Sequence, residues 1–242
     1  MTTPLMIDLY AGLGGWAEGA LAEGYDVIGF DIERHVYGAH RYPAQLVLQD
    51  VLTLHGRQFR DAALIVASPP CQEYSYMAMP WSRAKAIAAE YRSGVRDVKK
   101  LTALFDVCFR IQREACEAAG RYIPLIVENV RGAIPWVGRS RANFGSYHLW
   151  GDVPALMPMR RAIKNSGGSW FNIGSPGQKE TNRNPVHEGV KQAKSGRHWF
   201  ADPDSISGST ASGSPARKAA SAVIARIPLP LARYIAQVYR NG

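Results

Sequence analysis

Two side chains suited to covalent and acid–base chemistry stand directly after apolar stretches of the chain. Cys71 follows the apolar run at 62–67 through Ser-Pro-Pro, and Glu128 follows Leu-Ile-Val at 125–127. The thiolate of a cysteine is a nucleophile, and nearby positive charge or a helix N-terminus favours its formation. A carboxyl group buried at such a place has a raised pKa and can be protonated near neutral pH. The pair indicates an enzyme that combines nucleophilic and acid–base chemistry.

A glycine-rich stretch at 8–15, DLYAGLGG, lies between a predicted strand and a predicted helix. Its glycines let the backbone approach a ligand, and the helix N-terminus favours polar or anionic groups. Asp31 and Asp50 end the next two apolar runs, where one carboxylate can accept hydrogen bonds from ribose hydroxyls and the other from an adenine amino group. This set predicts an adenosine-containing cofactor, although each acid alone also fits a surface position. A dinucleotide site stays open, because Ala17 stands where its fingerprint carries a third glycine or an alanine.

The elements that position these residues follow from apolar strands alternating with helical periodicity. We predict strands at 6–10, 27–30, 46–48, 62–67 and 125–127, and helices at 16–24, at 97–119 and after Pro228 and Pro230. Such alternation is typical of an α/β fold, here a Rossmann-like, doubly wound, mostly parallel sheet with a small irregular insert. The carboxyl ends of its strands would bring the candidate residues to one edge. Cys108 and Cys116 lie in the long helical segment and are assigned to the core.

Charge and composition narrow the classes of protein. The 242 residues carry a net charge of +9, but residues 1–150 hold 16 basic and 15 acidic side chains, whereas 151–242 hold 13 and 5. A basic C-terminal part of this kind is typical of contact with nucleic acid. No apolar run has the length of a membrane span, no secretory signal is visible, and three cysteines without metal-ligand spacing predict neither disulfides nor a metal site. We expect a monomeric, intracellular protein, cytoplasmic or nucleoid-associated and encoded by a bacterium or phage.

The motifs DLYAGLGGW, FDIE, QDV, SPPCQEYS and VENVRG, in this order, resemble those of the C5-cytosine DNA methyltransferases. The resemblance covers residues 5–135, with most weight on Pro-Cys-Gln and Glu-Asn-Val, and IPLPLARYIA at 227–236 resembles the family's C-terminal return to the cofactor site. It implies a class I methyltransferase fold with catalytic residues 1–158 and 217–242 and a target recognition region at 159–216.

The resemblance also implies a reaction. Cys71 would attack C6 of a cytosine flipped out of double-stranded DNA, protonated Glu128 would hold N3 and the amino group, and C5 would take the methyl group. Asn129, the third catalytic-site residue, would orient the Cys71 loop. S-adenosyl-L-methionine would be the cofactor and S-adenosyl-L-homocysteine the product. The implied cofactor contacts are Tyr10, Ala11, Gly12, Gly14, Gly15, Trp16, Asp31, Ile32, Asp50, Val51 and Pro70. The implied substrate contacts are Pro69, Gln72, Ser75, Arg131, Arg139 and Arg141.

Three departures from the family pattern bear on substrate binding. No Gln-x-Arg-x-Arg motif is present, so Arg131, Arg139, Arg141, Arg160 and Arg161 are all eligible for its contact with the base. The family's Asn-Ser/Ala-Val before the last helix is replaced around 225–227. The recognition region is short, which predicts a context of about two to four base pairs, and the basic stretch at 83–100 is predicted to be a mobile catalytic loop.

Two alternatives stay open beside a DNA methyltransferase of phage or restriction–modification type. One is an RNA cytosine-C5 methyltransferase acting on tRNA, since a tRNA-modifying branch carries the same motifs. The other is an inactive DNA-binding relative, against which the intact Cys71 and Glu128 argue.

Overall fold

The computed structural model describes residues 3–72, 74, 81–157, 218, 222–223 and 225–240, with side chains at 81–84 left aside. The chain divides into two compact units, Met1–Arg160 with Ile227–Gly242, and Arg161–Arg226. The described elements belong to the first unit. The predicted recognition region at 159–216, Arg160 and Arg161, and the predicted substrate contact Ser75 lie outside the described residues.

A seven-stranded sheet organises the first unit, in the spatial order β5-β2-β1-β6-β7-β9-β8. The five strands from β5 to β7 are parallel, whereas β9 runs antiparallel to both β7 and β8. A separate hairpin pairs β3 with β4. The strands are β1 Leu5–Leu9, β2 Asp26–Asp31, β3 Val36–Tyr37, β4 His40–Arg41, β5 Gln45–Leu48, β6 Ala62–Ala67, β7 Leu125–Asn129, β8 Ala142–Phe144 and β9 Tyr147–Gly151.

Helices cover both faces of this sheet. One buried cluster joins Ile7, Leu9 and Val127 to Phe105 and Ile111 of the longest helix. A second cluster covers the other face and contains residues of the first and last helices. The helices are α1 Gly15–Ala22, α2 Trp81–Arg92, α3 Val98–Ala119, α4 Ile134–Val137 and α5 Leu229–Arg240. The predicted α/β, mostly parallel, doubly wound fold is confirmed.

Local sequence explains where the principal helices begin and end. The Asp97 carboxylate accepts a hydrogen bond from the Lys99 N–H at the start of α3, and Gly120 ends that helix at φ 63°. Pro230 is accommodated in the first turn of α5, as proline is near helix starts. Helices α1 and α5 pack closely at Gly19, where a Cβ would lie 2.3 Å from that of Ala232. Only glycine fits this crossing as it stands.

Several elements differ from the sequence-based expectations. Val51, expected near the end of a strand, begins a 3-10 turn, Val51–Thr53. The stretch at 83–100, expected to be a loop, contributes to α2 and the start of α3. Cys108 is buried as predicted, whereas Cys116 is only partly buried. Within the residues described above, no helix is long and apolar enough to span a bilayer.

Candidate active site

The strand order brings the carboxyl ends of β2, β1, β6 and β7 side by side at one sheet edge. The glycine-rich loop follows β1, Asp31 ends β2, Cys71 follows β6, and Glu128 lies near the end of β7. Ligands of open parallel sheets bind at this edge. The predicted reactive residues are therefore brought together, as their positions in the sequence indicated.

Cys71 lies in a tight turn just beyond β6, where its carbonyl accepts a hydrogen bond from the Tyr74 N–H over 3.0 Å. The turn is anchored by Tyr74, whose hydroxyl donates to the Leu101 carbonyl of α3 over 2.8 Å. Burial, and then the Glu128 carboxylate, raise the pKa of the Cys71 thiol to about 11. This direction is opposite to the activation expected from the sequence. The group is a neutral thiol at neutral pH in this state.

Glu128 is almost wholly buried, with 8% of its surface exposed. Burial raises the pKa of its carboxyl group to about 8, and a hydrogen bond with the Ser68 side chain partly offsets that rise. At pH 7 the carboxyl group is therefore mostly protonated and can donate a hydrogen bond. A protonated carboxylic acid here can bind an acceptor atom of a ligand and stabilise negative charge that develops on it.

Asn129 joins the Cys71 loop to the end of β7. Its side-chain N–H donates to the Pro69 carbonyl over 3.0 Å, and its side-chain oxygen accepts from the Val130 N–H over 2.8 Å. Both polar ends of this buried amide are thus occupied by backbone. Asn129 is placed to position the loop, whereas the thiol and the carboxyl group remain the groups able to react.

Ser68 links the acid to the glycine-rich segment, a role that its sequence position did not reveal. Its hydroxyl accepts a hydrogen bond from the indole N–H of Trp16 over 3.0 Å and also interacts with the Glu128 carboxyl group. The only sequence signal is a hydroxyl residue between a strand end and two prolines. Of those prolines, Pro69 is buried and Pro70 is exposed, as is the following Gln72.

The glycine-rich loop has a sharply turned backbone. Tyr10, Gly12 and Gly14 adopt positive φ angles of 61°, 51° and 77°. The strained Tyr10 is held by its hydroxyl, which donates to the Leu104 carbonyl over 2.8 Å. A Cβ on Gly14 would lie 2.3 Å from the Pro43 ring, whereas one on Gly12 would meet nothing nearer than 3.9 Å. The loop is therefore packed on its Gly14 side and open at Gly12.

The predicted cofactor contacts surround this opening. The Gly12 N–H donates to one Asp31 carboxylate oxygen over 2.8 Å, and the Glu33 N–H donates to the other over 3.3 Å. Ile32 is 75% exposed beside this carboxylate. At the end of the next strand, one Asp50 oxygen accepts from the Leu52 N–H over 2.9 Å, so the other oxygen has no such backbone donor.

The remaining predicted cofactor contacts are less accessible. Val51 is only 2% exposed and packs in the core below Asp50, so its side chain is not a ligand surface here. Ala11, Gly15 and Trp16 are likewise buried. An open glycine loop, two strand-end carboxylates and an exposed aliphatic side chain fit an adenosine-containing cofactor. Within the described ranges, no cluster of His, Cys, Asp and Glu could hold a metal ion.

A buried acid lies on the strand that leads into the loop. Asp8 accepts a hydrogen bond from the Tyr42 hydroxyl over 3.1 Å, while its other carboxylate oxygen has no partner. Burial raises the pKa of Asp8 well above its ordinary value. Tyr42 reaches this carboxylate across Gly29, where a Cβ would lie 2.5 Å from the tyrosine hydroxyl oxygen. Asp8 was predicted only as part of the motif.

The candidate arginines are divided between two places. Arg131 is exposed just beyond β7, in the 3-10 turn Arg131–Ala133 that follows Asn129 and Val130. Arg139 and Arg141 instead line a large groove beside α3. The contact of Arg139 and Arg141 with the base stays a prediction, and Arg131 is the candidate that lies next to Asn129 in the chain.

Comparison with known proteins agrees with this site. The family of C-5 cytosine-specific DNA methylases matches residues 5–133, which include the glycine loop, Cys71 and Glu128. No curated protein sequence matches the chain.

The chain is also similar to parts of solved structures, each of which is about three times longer than the matched part. One is described as a prophage-encoded DNA modification methyltransferase of E. coli, with 22% identity and a TM-score of 0.36 over 55% of this chain and 33% of that one. Another is the S. pombe Dnmt2 methyltransferase, with 16% identity and a TM-score of 0.33 over 55% and 36%. A third is the Entamoeba histolytica methyltransferase EhMeth, with 14% identity and a TM-score of 0.31 over 55% and 39%. Since the family match itself spans more than half of the 242 residues, the chain belongs to the C-5 cytosine-specific DNA methylases.

Proposed function

We propose that this protein transfers a methyl group from S-adenosyl-L-methionine to C5 of cytosine in double-stranded DNA. The observation that carries the proposal is the pairing of Cys71 with Glu128 on neighbouring strand ends. Strands β6 and β7 are paired in parallel, and the Asn129 side chain next to Glu128 binds the Pro69 carbonyl two residues before Cys71. Such a pair suits a reaction in which a nucleophile adds to an aromatic ring while an acid donates a proton to that ring. The thiolate would be the nucleophile, and the carboxyl group, which is mostly neutral at pH 7, would be the acid.

The cofactor would bind over the glycine-rich loop. Asp31 is placed to accept hydrogen bonds from ribose hydroxyls, and Asp50 retains an oxygen for the adenine amino group. Exposed Ile32 offers an apolar face for the adenine ring. When bound, S-adenosyl-L-methionine supplies an electrophilic methyl group, and S-adenosyl-L-homocysteine is left after transfer.

In the proposed reaction, the Cys71 sulfur would act as the nucleophile and the Glu128 carboxyl group as the acid. The cytosine leaves the duplex stack, because neither face of a stacked base is open to a side chain. The Cys71 thiolate forms a bond to C6, and the electron pair of the C5–C6 bond becomes available at C5 while Glu128 protonates or hydrogen-bonds N3. C5 then bonds to the methyl carbon. Loss of the C5 proton to a base restores the double bond, and the Cys71–C6 bond breaks to release the thiolate.

Thiolate formation is the step for which the site is least prepared. Burial and the Glu128 carboxylate both hold the pKa of Cys71 above its ordinary value. Protonated Glu128 removes one of these two causes. We therefore propose that the acid serves twice, by binding the base and by not repelling the thiolate.

We further propose that the region at 159–216 reads the target sequence, with 1–158 and 217–242 as the catalytic part. Gln72 and Pro69 flank the nucleophile and would contact the flipped base, together with Ser75 outside the described residues. Arg131 is the arginine nearest in sequence to Glu128 and Asn129. About two to four base pairs would be read, since each base requires its own side-chain contacts.

Methyl transfer can be tested with labelled S-adenosyl-L-methionine, duplex DNA and, in parallel, tRNA. We expect label in the DNA with the wild type and with the control variant Cys116→Ala, and none with Cys71→Ala. Cytosine-C5 methylation by Cys71→Ala would refute the nucleophile, and label on neither nucleic acid would refute the enzyme. Label on tRNA alone would replace DNA by RNA as the substrate. Bisulfite sequencing of the methylated duplex would report the modified atom class and its context.

A further inference from the structure

A large open groove runs along the outer side of α3, apart from the loops that carry Cys71 and the glycines. Its volume is about 970 Å³. Helix α3 forms one wall, and the segment from Val137 to Arg141 with the end of β9 forms the other. Four arginines line it: Arg110, Arg113, Arg139 and Arg141.

The acidic side chains of this groove have hydrogen-bond partners among the described residues of the protein, whereas most of its basic side chains do not. Asp152 accepts hydrogen bonds from the side chains of Gln112 and Tyr122 and from the Leu125 N–H, and Asp106 accepts one from Thr102. Both acids are therefore already engaged by neighbouring groups of the protein.

The basic side chains are mostly unengaged. Arg110 is bound to Glu114 and to two backbone carbonyls. In contrast, the side chains of Arg113, Arg139 and Arg141 are exposed and make no hydrogen bond or ion pair with any described residue. The groove thus presents three guanidinium groups without internal partners, and it is electropositive.

The direction of α3 relates the groove to the reactive edge. The Tyr74 hydroxyl docks on Leu101, near the start of the helix. Arg113 lies twelve residues further on, which at 1.5 Å per residue is about 18 Å along the helix axis. The groove also reaches Arg141 on its other wall. The Arg141 backbone N–H donates to the Leu149 carbonyl, and Leu149 of β9 pairs with Glu128 of β7. The groove therefore begins level with the reactive acid and leads away from it.

We propose that this groove binds the sugar–phosphate backbone of the nucleic acid on one side of the target base. The inference rests on the proposed function, because it takes nucleic acid as the substrate. A guanidinium fork matches two phosphate oxygens, and three such forks on the two walls of one groove suit a repeating phosphate chain. The α3 wall of the groove runs from Ala103 to Arg113, which at 1.5 Å per residue is about 15 Å and suits a short run of consecutive phosphates of one strand. Arg139 and Arg141 then position the substrate without reading the base.

Two variants that each lose two positive charges distinguish an effect of this groove from an effect of the net charge of the protein. The groove variant is Arg113→Ala with Arg139→Ala. The control is Arg57→Ala with Arg60→Ala, two exposed arginines that do not line the groove. The probe is a fluorescein-labelled 30-base-pair DNA duplex with cytosine in several contexts. Binding is followed by fluorescence anisotropy between 50 and 300 mM salt, and circular dichroism checks that both variants fold.

We expect the groove variant to bind the duplex about 10- to 100-fold more weakly than the control at 100 mM salt. Its slope of log affinity against log salt should be shallower by about 1.8, because each lost phosphate contact removes about 0.9. The loss should be equal for duplexes of different sequence, and kcat at saturating DNA should be retained. Affinity and slope equal to those of the control would overturn the inference, as would a loss confined to one sequence.

The outcomes distinguish failure of the groove proposal from failure of the proposed methyl transfer. If the wild type methylates DNA but the groove variant binds like the control, only the groove is refuted. If the wild type methylates no nucleic acid, the proposed function fails whatever the anisotropy shows. If the groove variant loses affinity for an unlabelled acidic polypeptide, poly-Glu, but not for the duplex, the occupant is an acidic protein segment and the inference is wrong.

Discussion

Replacing Glu128 by glutamine tests the central chemical step of the proposed reaction. The substitution keeps the shape of the side chain and a hydrogen-bond donor, but it removes the exchangeable carboxyl proton and the charge. In the folded protein, burial raises the pKa of Glu128 from 4.5 to about 8. At about 1.36 kcal/mol per pKa unit, this corresponds to about 5 kcal/mol that favours the protonated acid.

The pH dependence of kcat/KM follows from two groups with opposite requirements. The thiol, with a pKa of about 11, must be ionised, and Glu128, with a pKa of about 8, must be protonated. Below pH 8, the thiolate fraction rises about tenfold per pH unit while the acid stays protonated, so the rate rises. Above pH 8, the gain in thiolate is offset by loss of the protonated acid, so the wild-type profile becomes flat.

Glu128→Gln should remove this change of slope. Its kcat/KM should be about 10²- to 10⁴-fold lower at pH 7, the usual contribution of a general acid, and should keep rising between pH 8 and 9. Because the protonated fraction of Glu128 falls from about one half at pH 8 to about one eleventh at pH 9, the ratio of wild type to variant should fall about fivefold across that interval. The assay is transfer of label from S-adenosyl-L-methionine to a DNA duplex at low DNA concentration, from pH 6.5 to 9.

Two results would refute this reasoning. A wild-type profile that rises without a break through pH 8 would mean that no protonated acid of this pKa is required. A variant profile that still flattens near pH 8 would assign the break to another group. The control Glu117→Gln alters an exposed acid on α3 and should leave the break in place.

Two further predictions concern stability. Asp8→Asn keeps an acceptor for the Tyr42 hydroxyl but carries no charge. Because folding raises the Asp8 pKa above 3.8, the folded state binds the extra proton and wild-type stability falls as pH rises above about 4. Thermal unfolding should therefore show the variant becoming more stable relative to the wild type between pH 4 and pH 8. An unchanged difference would contradict the buried charge. Gly19→Ala should lower stability by about 1–3 kcal/mol, since its Cβ would meet that of Ala232 at 2.3 Å. Urea unfolding measures this loss, and a stability equal to the wild type would show that α1 and α5 can separate freely.

The sequence predicted the strands that carry the site because each is an apolar run that ends abruptly in a polar or glycine residue. The parallel order of β5, β2, β1, β6 and β7 follows from such runs separated by helical segments. The strands β8 and β9 were not predicted. Ala142–Phe144 has only three residues, and Tyr147–Gly151 mixes histidine with apolar side chains, so neither carries a clear periodic signal. Their position is decided by pairing with β7, which is remote in sequence.

The candidate site was predicted better in its residue types than in its interactions. Cys71 and Glu128 could be found because motif and strand position agreed. The raised thiol pKa could not, because it depends on burial and on the distance to a carboxyl group 57 positions later in the sequence. The same holds for Ser68, whose two partners lie in different segments. Arg139 and Arg141 were chosen for spacing alone, and spacing does not reveal which wall of the sheet an exposed side chain lines.

Hydrogen bonds between the segments that follow the strands help to fix the positions of the reacting groups at the edge of the sheet. Asp31 at the end of β2 binds the Gly12 N–H in the loop after β1. Trp16, which follows that loop, binds Ser68 after β6, and Asn129 at the end of β7 binds Pro69 in the same segment as Ser68. The ends of β2 and β1, of β1 and β6, and of β6 and β7 are thus each bridged by at least one polar contact in addition to the sheet.

These contacts have a consequence for how the site responds to its ligands. Ligand contact with Asp31 acts on a group that already holds the glycine loop, and that loop leads directly to Trp16 and Ser68. Ser68 in turn lowers the pKa of Glu128, whose charge opposes ionisation of Cys71. Asp31 and Cys71 are thus joined by a series of hydrogen bonds that ends in the charge interaction between Glu128 and the thiol.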